Sequence, residues 1–250
     1  MKEADPAQSL PRDPQTSEEE KRESAVSDRS LASSSALREA WVLALTLLLL
    51  ALTYYHGNPQ FVPLRGRFFF WVGLNVVLLL LVPVALVRLV FRESLSSYGL
   101  GLGRPAVWLR WLGALMAVML PVLLVSSRLP SLQHYYPRYV WARDSAALFA
   151  LSSAAWLVYF FAWEFFFRGF LLHFFLRRHP PIVAIALQTV PFAMMHFTKP
   201  EVEALASIIA GFALGFMAYR GRSMLGPWLL HWLCAFTLDV LVVVWPVRSL

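Results

Sequence analysis

The chain has 250 residues, 58% of them hydrophobic, with a mean hydropathy of +0.58 and a formal net charge of +7. A water-soluble domain of this length sits nearer half apolar, so the excess requires a medium other than water. The lone cysteine, Cys234, excludes an intramolecular disulfide and any cysteine-built zinc cage, and its apolar surroundings in sequence suit a small packed residue.

The charge is unevenly spread. Residues 1–38 hold six Lys/Arg and eight Asp/Glu, leaving 16 basic and 7 acidic residues from 39 onward. Most of those later cations flank apolar runs, which marks membrane anchoring and topology, and no soluble basic stripe speaks for nucleic acid. Residues 1–35, rich in Ser, Glu, Asp, Arg and Pro, have too little apolar surface to offset their ordering entropy and are expected as a disordered tail. That tail is too long and acidic for a secretory n-region, so the first apolar run is expected to stay uncleaved as a signal anchor.

Apolar segments long enough for about 30 Å of hydrocarbon recur near 37–55, 68–91, 107–127, 145–177, 181–197, 202–219 and 224–246. They predict an all-α, polytopic transmembrane bundle of about seven spans (six to eight). Residues 36–144 form its N-terminal helices and loops, and 145–250 the part carrying the chemistry. The 145–177 run is long for one crossing and must tilt, overhang or break. Asp144-Ser145 supplies its N-cap, and Arg177, Arg178, Pro180 and Pro181 end it with cations and prolines. With the N-terminus inside, cytoplasmic loops carry eight arginines (88, 92, 104, 110, 177, 178, 220, 222) against six cations outside. The bias favours a cytoplasmic N-terminus in the plasma (inner) membrane, and it is slight. No internal repeat is visible, which disfavours the inverted-repeat transporter plans.

Charged groups inside spans cost on the order of 3 kcal/mol and so mark candidate sites. In "FAWEFFFRGF", Glu164 and Arg168 are i and i+4, within pairing distance on one helical face. Alone they read equally well as a structural ion pair. His196 lies near the end of "TVPFAMMHF" and alone reads as an interfacial histidine hydrogen-bonded to a backbone carbonyl; His231, in "GPWLLHWLCAF", alone reads as a satisfied packing histidine. Counted from the connection at 178–181, Glu164 and His196 lie at the same depth, about 21 Å along antiparallel helices. A carboxylate and an imidazole meeting there can share a water and raise its basicity, as peptide hydrolysis requires. His231 can then donate to an oxyanion or ligate a metal. Ser207, Gly211 and Gly215 form a small-residue line for close helix packing.

The run "EFFFRGFLL" (164–172), then "PFAMMHF" with Phe192 and His196, then "GFALGFMAYRGRSMLGPWLLH" ending at His231, resembles the CPBP family of membrane proteins. Its members are CAAX prenyl-protein endopeptidases and bacteriocin-processing or self-immunity proteins. The family pattern is Glu-Glu-x-x-x-Arg, Phe-x-x-x-His and His-x-x-x-Asn/Asp on successive core helices, covered here by about residues 145–240. The resemblance implies that His196 partners the catalytic glutamate in activating water, that Arg168 orients the carboxylate, and that His231 helps to stabilise the oxyanion. Two positions depart. Trp163 replaces the first glutamate, usually the water activator, so only Glu164 remains. Ala235 replaces the Asn/Asp and cannot donate a hydrogen bond. Asp239 is at i+8 from His231, a poor direct substitute; Glu203 or Asp239 can still support the site as a second carboxylate.

These residues lead to an intramembrane endopeptidase acting on a membrane-associated peptide or protein within the bilayer. The alternative is a catalytically impaired relative that binds, protects or scaffolds a membrane partner; a small transporter gated by Glu164–Arg168 ranks third. Glu164, His196 and His231 are a set able to ligate zinc, although a glutamate-activated water needs no metal and neither HExxH nor a cysteine cluster is present. No nucleic-acid partner is expected.

Overall fold

A computed structural model of the chain describes residues 14–246, with side chains from residue 35 onward. The described residues are helical and contain no strand. Helices α1 (Pro14–His56), α2 (Leu64–Val90), α3 (Pro105–Ser126), α4 (Ala146–Leu176), α5 (Pro181–Met194), α6 (Glu201–Gly221) and α7 (Leu225–Val244) follow one another. All but α5 are long and apolar enough to cross a membrane, α1 through its segment Ser35–His56. The chain is thus an integral, multi-pass membrane protein, with six long spans and a shorter apolar helix where the sequence suggested a seventh. The outward surface agrees: Val125 is 73% and Ile209 75% exposed, which suits hydrocarbon and not water.

Two compact units divide the chain, one ending at Leu48 and the other running from Leu49 to Leu250. In the first, the Thr46 hydroxyl donates to the Val42 carbonyl at 2.8 Å, so the helix itself satisfies a polar group in an apolar span. The expected disordered tail falls for residues 1–13 outside the described residues, and the α1 backbone begins at Pro14. The second unit holds everything below.

Its helix ends follow local chemistry. Ser145 caps α4, its hydroxyl accepting from the Leu148 amide at 3.2 Å. Prolines open α3 and α5, where a missing N–H costs nothing. Arg222 ends α6 in the left-handed region at φ 50°. The long α4 neither breaks nor stays regular: its 31 residues, about 46 Å at the ordinary rise, contain a π-helical stretch at Phe165–Leu171. In α2, π-helical stretches flank the turn holding Pro83, which has no amide to donate.

Helix α5 packs on α6, and α7 packs on α3, α4 and α6, while α2 lies against α4. The small-residue line sets the α5–α6 approach: a Cβ on Gly211 would come 2.5 Å from the Thr189 methyl, and one on Gly215 within 2.9 Å of Gln188 and Ile185. Gln188 serves that contact, its Nε2 donating to the Gly211 carbonyl at 3.1 Å. A second core joins Leu123, Leu132, Tyr136, Leu238, Leu241 and Val242.

Candidate active site

The π-helical stretch follows directly after Glu164, and its widened turn carries Arg168. Both side chains are fully buried, with Arg168 Nη1 3.1 Å from Glu164 Oε1. The other face of the guanidinium lies 3.9 Å from the Phe192 ring centroid, a cation–π contact from α5. Phe165, Phe166, Phe167 and Phe170 are all at most 1% exposed, so this charge pair sits in an aromatic shell. Such a shell removes water and leaves the ion pair dependent on its own geometry.

The imidazole that meets Glu164 belongs to His231. Its Nδ1 is 2.6 Å from Glu164 Oε1, and its ring stacks on Phe160 with centroids 4.1 Å apart. The sequence reading paired Glu164 with His196 and gave His231 the oxyanion, so the geometry rearranges those partners. His196, in the turn just after α5, has its Nδ1 instead 2.8 Å from the Phe192 carbonyl in the last turn of that helix. A carbonyl oxygen only accepts, so this nitrogen carries the proton. Matching depth is silent on azimuth, and the turn that follows α5 directs the His196 ring to its own backbone.

His196 and His231 both line a cavity of about 530 Å³, whereas Glu164 does not and reaches it through the His231 ring. Much of the wall is aromatic, with Trp71, Tyr139, Trp156, Tyr159 and Trp163 prominent. Trp163 stands edge-on to His196 with ring centroids 6.0 Å apart. Where a second carboxylate was expected there is thus an indole, and its buried Nε1 has no hydrogen-bond partner. Glu164 Oε2 and the Nε and Nη2 atoms of Arg168 are likewise buried without partners. These orphans could be satisfied by ordered water, the usual occupant of a buried polar gap.

The supporting carboxylates go elsewhere. Glu203 accepts from the Tyr136 hydroxyl at 2.6 Å and pairs with Lys199 at 2.7 Å, fastening the rim of the cavity. Burial, reinforced by the neighbouring Glu203 charge, raises the Tyr136 phenol well above its ordinary value, so it stays a donor. Asp239 is buried with Oδ1 unpartnered and does not line the cavity. Ala235 lies one helical turn after His231 and offers no donor. Sequence reasoning missed Asn75, a cavity-lining polar residue within α2, and Tyr136, which holds Glu203. An asparagine inside "WVGLNVVLLLL" was the available signal for the first.

Among the described residues no group of three His, Cys, Asp or Glu is placed to hold a metal, and Glu164 Oε1 is shared by Arg168 and His231.

Fold and site together define a multi-pass membrane protein with a buried carboxylate–imidazole–guanidinium cluster beside an aromatic cavity. Residues 145–237 match the family model of the Rce1-like type II CAAX prenyl endopeptidases, the segment on which the sequence showed its resemblance. No curated protein and no solved structure gives a significant match.

Proposed function

We propose that the chain is an intramembrane endopeptidase that hydrolyses a peptide bond in a membrane-associated peptide or protein. The observation that carries this reading is the 2.6 Å contact between Glu164 and His231, formed inside the bundle at the edge of a cavity large enough for a short peptide segment. An acid–base pair held beside such a space serves proton transfer to and from a reacting water. Arg168 fixes the carboxylate, and His196 supplies a second imidazole on the same wall. The match to a prenyl endopeptidase family makes a prenylated CAAX peptide the first substrate to test.

Purified protein in proteoliposomes should cleave a prenylated CAAX-terminated reporter or an apolar membrane peptide, with the products identified by mass spectrometry. Glu164→Gln and His196→Ala should each depress turnover. Cleavage indifferent to both substitutions, or no cleavage by the wild type, would sink the peptidase reading. The second reading, a catalytically impaired relative that binds or protects a membrane partner, draws on Trp163 and Ala235. It predicts substrate retention without product.

A further inference from the structure

Given the peptidase reading, on which this step rests, we infer that His231 is the residue that activates water, and that Glu164 is its positioning residue and not the base itself. Glu164 is wholly buried, its Oε1 already receives Arg168 at 3.1 Å and His231 at 2.6 Å, and it does not belong to the cavity wall. A water in the cavity meets the His231 ring first. Facing a carboxylate, Nδ1 is the donor, which fixes the neutral ring in the tautomer whose Nε2 lone pair is free. Ring geometry directs Nε2 away from Glu164, and Phe160 stacked at 4.1 Å holds the plane. The same tautomer removes His231 from the oxyanion role, because a neutral Nε2 without hydrogen accepts and cannot donate.

The step balances as follows. His231 Nε2 takes a proton from water while the water oxygen bonds to the scissile carbonyl carbon, and the carbonyl π pair moves to its oxygen. As the C–N bond breaks and the carbonyl reforms, the imidazolium returns that proton to the departing nitrogen, giving a carboxylic acid and an amine. Between the two events Glu164 faces the imidazolium and balances its charge, as a buried carboxylate does for a histidine base. Arg168, 3.1 Å away, holds that carboxylate in place within the aromatic shell. Trp163 fits this division of labour: with the neighbouring acid gone, a base already present on the cavity wall takes over its work.

The test ranks substitutions in the reconstituted full-length protein on a prenylated CAAX peptide and an unprenylated apolar peptide. His231→Gln should cost at least about ten-fold more kcat than Glu164→Gln, since removing a base costs more than removing its orienting acid. Glu164→Gln should still lower kcat on the order of 10²–10⁴-fold with KM unchanged, and Glu164→Asp should recover part of the loss. Diethyl pyrocarbonate, which acylates an open, unprotonated imidazole nitrogen, should label His231 in the wild type, as mapped by mass spectrometry, and label it less in Glu164→Gln. Equal or reversed losses, or a His231 that resists acylation while His196 reacts, would overturn the assignment. A wild type that cleaves neither peptide removes the peptidase reading and this inference with it, whereas cleavage with the wrong ranking removes only the inference.

Discussion

At one end of the second unit, the linker between α2 and α3 is stitched to the turn between α6 and α7 by backbone. The Arg104 amide donates to the Gly221 carbonyl at 2.7 Å, the Met224 amide to the Gly99 carbonyl at 3.0 Å, and the Ser223 hydroxyl to the Gly101 carbonyl. At the other end, the segments around Gly57, Tyr135–Trp141 and Met195–Lys199 border the aromatic cavity, tied mainly by side chains such as Tyr136 and Lys199 on Glu203. Backbone bonds between chain segments allow little give, while side-chain ties can exchange partners. The comparison assigns rigidity to the sealed end and adaptability to the hollow one, as a binding site needs.

The largest loss should come at the buried Glu164–Arg168 pair. Arg168→Leu leaves Glu164 buried with only His231 for compensation, and a loss of about 3–5 kcal/mol is expected. A melting temperature in detergent unchanged from wild type would show that the guanidinium carries no structural weight. At the sealed end, Gly103 has φ 56° and a Cβ there would collide with the Gly221 carbonyl oxygen. Gly103→Ala should therefore cost about 2–4 kcal/mol from strain and overpacking, and chemical unfolding would expose the difference.

At the hollow end the effects should shrink. Tyr136→Phe removes a hydrogen bond to a carboxylate, about 1.5–3 kcal/mol, and should loosen the rim enough to speed exchange of amides in 195–203. Lys199→Met breaks an ion pair whose side chains are 22% and 24% exposed, so less than about 1 kcal/mol is expected, and added salt should erase it. If Lys199→Met destabilised as strongly as Gly103→Ala, the contrast between the ends would collapse.

Much of this was legible in the sequence because hydrophobic length and proline placement dictate spans directly. The Ser145 cap, the stop before Pro180 and the Ser207–Gly211–Gly215 line were all readable and are found. The π-helical stretch at 165–171 was not, since its composition is that of any apolar helix and the widening depends on packing. The partner of Glu164 was not legible either, since equal depth says nothing of azimuth and the His196 ring turns to the Phe192 carbonyl. The cavity was illegible for another reason. Its aromatic wall is assembled from α2, α4 and the loops at one end, segments far apart in the chain with no shared motif.

The backbone stitch also sets a clock for biosynthesis. Arg104 leaves the ribosome early, yet its amide must wait for Gly221, and Gly99 must wait for Met224. Helices α2 and α3 are therefore in the translocation machinery or the bilayer before the sealed end can close. The α6–α7 hairpin, made later, is the one that locks the α2–α3 pair in place.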